Sequence, residues 1–175
     1  YREDPLTKVP CRIHIERAKR PKQAQKPVDL SQFAIKPPGC PFCPQNIEKM
    51  TPLFPKAICE QGRIKRGEAL VFPNLFPFAE YHAVGVFTRE HFLDLPQFTA
   101  EMLIDNMMAV RDYLRYVYHS NNEAKYPICI WNHLLPSAAT MVHPHVQILI
   151  ERKPTAYQQR LLKASEEYFL ATGRN

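Results

Sequence analysis

The chain has 175 residues, of which 45% are hydrophobic and 23% charged, a balance that excludes an intrinsically disordered protein and predicts one globular domain. No apolar run approaches the roughly 18 residues of a membrane span, so an integral membrane protein is excluded too. The 23 basic and 17 acidic residues give a net charge of +6, which suits a phosphate-rich ligand. Nucleic acid is not the expected partner, because no aromatic ladder accompanies the basic residues.

The N-terminal residues 1–38 are polar and rich in proline, and we interpret them as an extended basic arm before a core over residues 39–175. The arm begins with Tyr1 rather than methionine, so the chain is expected to be processed or part of a longer product. Residues 11–15 alternate in hydropathy and predict one short strand. The basic run at residues 17–22 is, from its charge alone, best explained as a solvated arm.

Four more strands are predicted in the core from short apolar runs, at residues 69–72, 83–88, 128–131 and 143–150. Apolar residues that recur at spacings of three and four predict one long amphipathic helix over residues 96–119. A C-terminal helix is predicted over residues 155–171, with Thr155 as its N-cap. Paired strands with few helices predict an α+β fold built on an antiparallel sheet.

The most informative cysteine spacing is Cys40-Pro41-Phe42-Cys43, which allows two functional interpretations. A Cys-Pro-aromatic-Cys pattern is typical of glutaredoxin-like redox sites, and two cysteines three apart also form half of a zinc site. A redox site needs an apolar strand before the motif and a helix after it, whereas prolines stand on both sides here, which favours a zinc knuckle. Two incidental buried cysteines are the remaining alternative.

Cysteine usage and the N-terminus together predict the compartment. The chain has five cysteines, an odd count that argues against a disulfide framework. Its charged and polar start shows no secretory signal, so we expect a reducing compartment and a cytoplasmic protein.

The segment HPHVQ at residues 143–147 places three polar side chains in an otherwise apolar strand. Residues two apart on a strand face the same side, so His143, His145 and Gln147 are expected to share one face. Their burial costs free energy unless each side chain finds a partner, and three satisfied core residues are the weaker explanation. A neutral imidazole is a nucleophile near pH 7, and an amide can donate a hydrogen bond to a phosphoryl oxygen, which predicts phosphorus chemistry.

This segment resembles the active-site HPHxQ of the galactose-1-phosphate uridylyltransferases, a branch of the histidine triad superfamily. Other segments resemble motifs of the same family: DPLT at residues 4–7, ERAKRP at 16–21, the CxxC pair, FPNLFP at 72–77, REH at 89–91 with LP at 95–96, and WN at 131–132. The resemblance extends from about residue 4 to residue 169 and covers the N-terminal half of the family's chains. It implies a histidine-triad-like sheet with one long helix and a C-terminal helix.

The resemblance also implies a site, residue by residue. A structural zinc ion would be held by Cys40, Cys43, His91 and His143. His145 would be the nucleophile that becomes nucleotidylated, and Gln147 would bind the phosphate of the nucleotide. Further substrate contacts would come from Asn74, Leu75, Asn132, Ala138, Ala139 and Thr140. In a homodimer, the segment with Arg17, Lys19 and Arg20 would reach the site of the partner subunit.

The implied activity is that of a UDP-glucose–hexose-1-phosphate uridylyltransferase-like enzyme of galactose metabolism. Such an enzyme moves a nucleoside monophosphate between a nucleoside diphosphate sugar and a sugar 1-phosphate. Because Gln147 cannot supply a proton, transfer or phosphorolysis is favoured over hydrolysis.

Departures from the family pattern leave the base, the sugar and the acceptor open. Leu75 replaces an aspartate, residues 138–140 replace a Gly-Cys-Ser stretch, His133 and Leu134 replace Lys-Gly, and no second half is present. One alternative is a nucleotide-sugar or dinucleotide phosphorylase that uses inorganic phosphate. Another is a non-catalytic, zinc-stabilised nucleotide-binding module, and a glutaredoxin-like reductase is the least favoured.

Overall fold

The computed structural model of the chain describes residues 1–20, 39–134, 137 and 139–174. The chain groups into two compact units, one formed by Tyr1–Asp29 and Pro154–Asn175, the other by Leu30–Lys153. The arm predicted over residues 1–38 lies partly outside the described residues, and the single domain over residues 1–175 stays a prediction. None of the described helices is long and apolar enough to span a membrane.

In the first unit, two short strands form an antiparallel pair, β1 (Arg2–Glu3) and β2 (Pro10–Cys11), and a 3₁₀ helix covers Ile15–Lys19. The strand predicted over residues 11–15 is therefore wrong beyond Cys11. Ile13 and Ile15 are 64% and 81% exposed, so these side chains do not pack against an apolar surface. Without such packing, an alternating sequence has little reason to form a strand.

The second unit is built on a five-stranded antiparallel sheet. Its strands are β3 (Ile64–Arg66), β4 (Ala69–Pro73), β5 (Tyr81–Val86), β6 (Tyr126–Ile130) and β7 (His145–Glu151). They lie in the order β3–β4–β5–β7–β6, so β7 is last in sequence but sits between β5 and β6. The four predicted core strands are confirmed with shifted ends, and β3 adds a short edge strand that has no apolar run.

Among the described residues of the same unit, two segments form α-helices. The first, α1 (Pro44–Met50), begins directly after Cys43, although the prolines around the CxxC motif are interpreted above as unfavourable to a helix. Proline is in fact favoured at the first helical position, where its missing N–H costs nothing. The second, α2 (Ala100–Ser120), is the predicted long helix; it starts four residues late because a 3₁₀ helix over Leu95–Gln97 precedes its Thr99 cap.

The C-terminal helix, α3 (Ala156–Thr172), lies in the first unit and confirms the prediction to within one residue at each end. Thr155 is its N-cap, as its position after a proline predicts. The Thr155 hydroxyl accepts a hydrogen bond from the Gln158 backbone, and the Gln158 side chain accepts one from the Thr155 backbone. This reciprocal pair is a capping box, and Gly173 ends the helix with φ +68°.

The three central strands of the sheet, β4, β5 and β7, are buried on both faces, and each face has a different partner. One face packs against α2 through a cluster that includes Val71, Val146, Ile148, Val110 and Tyr113. The opposite face packs against α1 and the turn before it, through Phe42, Ile47, Phe72, Val84 and Val86. Because side chains alternate along a strand, the residues of β7 next to Val146 and Ile148 lie on this second face. Those residues are His145 and Gln147.

Candidate functional site

Four buried side chains converge beside the second face of the sheet, and their ligand atoms all lie within 4.8 Å of one another. Cys40 and Cys43 come from the turn before α1, His91 follows β5, and His143 precedes β7. Each is at most 5% exposed. Cys43 Sγ lies 3.5 Å from His91 Nδ1 and 3.8 Å from His143 Nδ1, and Cys40 Sγ lies 4.0 Å from His143 Nδ1. We call these four residues the Cys2His2 cluster.

The spacing in this cluster fits a tetrahedral metal ion. Zn–S bonds of about 2.3 Å and Zn–N bonds of about 2.0 Å, at the tetrahedral angle, place sulfur and nitrogen about 3.6 Å apart. Two thiolates and two imidazoles are a donor set that suits zinc or an iron–sulfur centre. Four protein ligands leave no position open for water, which is typical of a structural site.

Backbone carbonyls orient the ligands of the cluster. His143 donates a hydrogen bond from Nε2–H to the Thr88 carbonyl at 2.9 Å, so its Nδ1 keeps a lone pair on the side of the sulfurs. The Cys40 carbonyl accepts hydrogen bonds from the Cys43 backbone and from Asn46 Nδ2, at 3.4 and 2.8 Å. These contacts close the turn that carries both cysteines. The two cysteines are thiols rather than a disulfide, and their contact with two histidines supports a metal site over a redox site.

The loop with Thr88 and His91 is held by a carboxylate. Glu68 Oε2 accepts hydrogen bonds from Thr88 Oγ1 at 2.6 Å and from the Arg89 backbone at 3.3 Å. The bond from Thr88 lowers the pKa of Glu68, so this side chain is an anion at neutral pH. Glu68 thus holds the loop that carries His91 and the Thr88 carbonyl to which His143 donates.

His145 is the first residue of β7 and is not a member of the Cys2His2 cluster. Its ring is 8% exposed, and its Nδ1–H donates to the His143 carbonyl at 2.8 Å. A carbonyl only accepts, so the proton lies on Nδ1 and the lone pair on Nε2. Burial lowers the pKa of His145, although the hydrogen bond to the His143 carbonyl opposes that shift. A neutral imidazole with its lone pair on Nε2 is suited to nucleophilic attack.

The expectation that three polar residues of HPHVQ share a strand face is correct for only two of them. β7 starts at His145, so His145 and Gln147 share a face, and His143 lies in the loop before the strand. The Pro144 carbonyl in that loop accepts a hydrogen bond from the Phe87 backbone. That bond extends the pairing with the β5 side to Pro144 but not to His143, whose ring contacts the two cysteines instead.

A cavity of ≈ 320 Å³ opens beside His145 and Gln147, large enough for part of a nucleotide. Besides Gln147, three predicted substrate residues line it: Asn74, Leu75 and Thr140. The rest of its lining, among the described residues, is apolar or uncharged, and includes Phe42, Met50, Phe72, Phe76, Val84 and Met141. The cavity thus provides an apolar surface for a base or sugar and one imidazole–amide pair for a polar group.

Two other predicted substrate residues of the second unit, Asn132 and Ala139, do not line this cavity. Asn132 lies two positions beyond Ile130, the last residue of β6, and Ile130 pairs with Gln147. Ala139 is buried. Ala138 lies outside the described residues. Arg17, Lys19 and Arg20 are exposed residues of the first unit, where Lys19 forms an ion pair with Glu16 at 2.7 Å. The roles assigned to these residues stay predictions.

One buried polar residue, His82, is missing from the predicted site. It is 4% exposed, and its Nε2 lies 3.0 Å from Gln147 Oε1 and 3.0 Å from Asn74 Nδ2. Burial lowers the pKa of His82, so its ring is neutral at pH 7. The predicted strand starts at residue 83 and leaves His82 out, whereas β5 starts at Tyr81. The signal was its alternation with Val84 and Val86, which puts it on the same face as Gln147.

Comparison with known proteins identifies the fold. No family model matches the chain. An uncharacterised protein of Archaeoglobus fulgidus is 36% identical over 135 residues, which are 77% of this chain and 39% of that protein. The chain thus spans about two fifths of the length of this curated relative.

Several solved structures resemble the chain along half of their own length. A GalT-like protein from Arabidopsis thaliana has a TM-score of 0.63 at 18% identity, over 79% of this chain and 49% of that one. A uridylyltransferase has a TM-score of 0.60 at 20% identity, over 98% and 52%. An ADP-glucose phosphorylase from Arabidopsis thaliana, solved with bound ADP-glucose, has 0.59 at 18%, over 90% and 50%. The chain therefore has a GalT-like histidine triad fold, as the sequence motifs imply.

Proposed function

We propose that the chain is a nucleotidyltransferase domain that works through a covalent nucleotidyl intermediate on His145. The observation that carries this proposal is the state of the His145 ring. Its Nδ1 proton is held by the His143 carbonyl, and the cavity that His145 lines also contains Gln147. A buried, neutral imidazole of fixed tautomer beside an amide donor is what in-line attack on phosphorus requires.

In the first step, the Nε2 lone pair of His145 attacks the α-phosphorus of a nucleoside diphosphate sugar. A P–N bond forms, the P–O bond to the β-phosphate breaks, and the sugar 1-phosphate leaves with that electron pair. In the second step, a phosphate oxygen of the acceptor attacks the same phosphorus, and the P–N electron pair returns to Nε2. A phosphate leaving group needs no strong acid, which agrees with an amide rather than a third histidine at Gln147.

The Cys2His2 cluster is proposed to bind zinc as a structural ion. Its donor set and its distances support this choice. When bound, zinc would cross-link the turn before α1 to the loop after β5 and to the loop before β7. His143 would then have its lone pair occupied, which leaves His145 as the nucleophile of the HPH motif.

The acceptor and the assembly belong to the same proposal. A sugar 1-phosphate would make the reaction a transfer, as in galactose metabolism, with UDP-glucose as donor. Inorganic phosphate would make it a phosphorolysis, and the fold shared with an ADP-glucose phosphorylase supports testing that case. A homodimer in the cytoplasm, with Arg17, Lys19 and Arg20 supplied by the partner copy, would add the positive charge that the described cavity lining lacks.

Mass spectrometry tests the covalent step directly. The protein is incubated with a panel of sugars linked to uridine, adenosine or guanosine diphosphate, and its intact mass is measured without acid, because phosphoramidates are acid-labile. We expect one nucleoside monophosphate adduct, mapped to His145. Adding a sugar 1-phosphate or inorganic phosphate to the labelled protein then shows which acceptor removes the adduct.

The matched controls are His145→Ala and His119→Ala, since His119 is an exposed histidine at the end of α2. The His119→Ala protein should label like the wild type. Binding of a donor without any adduct in the wild type would favour the non-catalytic module, and an adduct that survives His145→Ala would contradict the proposed nucleophile.

A further inference from the structure

His82 occupies a special place relative to Gln147. It is the second residue of β5, and the register pairs its neighbour Val84 with Gln147 across the β5–β7 pair. Diagonal neighbours on one face of a sheet are close enough for long side chains to meet. The distance of 3.0 Å between His82 Nε2 and Gln147 Oε1 shows that they do.

The backbone at Phe78 determines which ring nitrogen of His82 carries the proton. The Phe78 N–H donates to His82 Nδ1 at 3.4 Å, and a backbone N–H can only donate. Nδ1 is therefore the acceptor, and the neutral ring carries its proton on Nε2. In that tautomer, His82 is a hydrogen-bond donor to Gln147.

Asn74 competes for the same nitrogen. Its Oδ1 accepts from the Phe76 backbone at 2.9 Å, which turns its Nδ2 toward His82 Nε2 at 3.0 Å. One ring nitrogen cannot both donate to Gln147 and accept from Asn74. The bond from Phe78 selects the Nε2–H form, in which His82 donates to the Gln147 oxygen and the Asn74 NH2 group does not donate to His82.

The orientation of the Gln147 amide decides what it offers to a phosphate. Its oxygen and its NH2 group have nearly the same shape, so packing alone does not distinguish them. With Oε1 bound to His82, the remaining polar group of the amide is NH2, a donor in a cavity shared with His145. The opposite orientation would present an acceptor, which repels phosphoryl oxygens.

We propose that His82 is a positioning residue: its Nε2–H holds Gln147 Oε1 so that the Gln147 NH2 group donates to the phosphoryl oxygens of the nucleotide attacked by His145. This inference rests on the proposed function. His82 does not touch the reacting atoms, and it acts only through the amide.

Two variants and one matched control test this role. His82→Leu removes both ring nitrogens at similar size, and His82→Gln returns an N–H donor on a side chain of similar reach. His119→Leu is the control at an exposed histidine. Single-turnover labelling gives the rate of His145 nucleotidylation, and titration under non-labelling conditions gives the Kd for the nucleotide.

We expect His82→Leu to slow labelling by about tenfold to a hundredfold, somewhat less than the loss of a whole donor, because Gln147 remains. The Kd should change by less than about threefold, which is under 1 kcal/mol. His82→Gln should recover most of the rate, and His119→Leu should match the wild type. A His82→Leu protein that labels at the wild-type rate would overturn the proposal.

A spectroscopic measurement on the wild type keeps the test independent of activity and of variant folding. The ¹⁵N chemical shifts of the His82 ring report its tautomer, and those of the Gln147 amide report its hydrogen bonding. We expect the Nε2–H form, and an Nδ1–H form would contradict the proposal even if labelling is normal. If no donor labels the wild type, the proposed function fails, while these shifts still decide whether His82 orients Gln147.

Discussion

His143 and His145 lie two residues apart, yet the protein uses opposite nitrogens of their rings. His143 donates a hydrogen bond from Nε2–H to the Thr88 carbonyl and turns Nδ1 to the cysteines. His145 donates one from Nδ1–H to the His143 carbonyl, so its lone pair lies on Nε2. In each ring, one backbone carbonyl determines which nitrogen carries the proton. The position of the ring proton, rather than the type of residue, would thus separate the proposed metal ligand from the proposed nucleophile.

The largest effect is expected from His143→Ala, which removes one of four ligands. The variant should lose its metal and, because metal binding is coupled to folding, more than about 3 kcal/mol of unfolding free energy. Elemental analysis and denaturant unfolding measure the two losses, and labelling should disappear with the fold. His143→Cys returns a ligand and should regain part of the metal. A His143→Ala protein with full metal content would show that His143 is not a metal ligand.

His145→Ala should give the complementary result. The nucleotide adduct should disappear, because the hydroxyls that remain in the described lining, those of Thr51 and Thr140, are weak nucleophiles without an adjacent base. The metal content should match that of the wild type. Stability should fall by only about 1 kcal/mol, the usual cost of losing one buried hydrogen bond. Loss of metal in this variant would mean that the two histidines are not separate in function.

A smaller effect, on metal affinity, is expected from Glu68→Gln. The amide weakens the charge-assisted bonds to Thr88 and Arg89, so the loop that carries His91 is held less firmly. Metal affinity should fall by about tenfold to a hundredfold in competition with a chelating dye, the range for an outer partner of a ligand. Glu60→Gln, at an exposed residue, is the control, and equal affinities of the two variants would exclude this role.

The smallest effect is expected from Phe42→Leu, because the Phe42 ring lies beside both histidines. Its centroid is 6.0 Å from that of His143 and 5.4 Å from that of His145. A smaller apolar side chain should cost about 1 kcal/mol of stability and leave metal affinity unchanged. Labelling should slow a few-fold, because Phe42 also lines the cavity. Phe169→Leu, at an exposed position of α3, is the control; a large drop in metal affinity would show that the two regions are coupled.

Local signals were enough to predict α2 and α3. The spacing of apolar residues and the cap at Thr155 act within a few residues, so the sequence alone contains them. The Cys2His2 cluster is different, because Cys40 and His143 are 103 residues apart and only a family resemblance brought them together. The same resemblance placed Asn74 and Thr140 at the cavity, which no local pattern indicates.

Three features escaped prediction for physical reasons. Pro44 was interpreted as a helix breaker, but it stands at the one helical position that favours proline. The HPH alternation continues through His143, but the backbone pairing ends at Pro144, and the loop before it turns His143 to the cysteines. His82 is missed because the predicted strand starts at residue 83, whereas β5 starts at Tyr81. A shift of two residues at a strand end is usual for such patterns.

The order of the sheet strands has a consequence for how the chain folds. β7 is the last of these five strands in sequence, and it is the one that joins β5 to β6. Until it arrives, β6 has no partner in the sheet and β5 has an open edge, so two rows of unpaired backbone groups are exposed on a growing chain. Closure also waits for contacts between residues far apart in sequence, which makes folding slow. A ribosome-bound chain that ends before residue 145 should therefore depend on chaperones, and release of β7 should end that dependence in a single cooperative step.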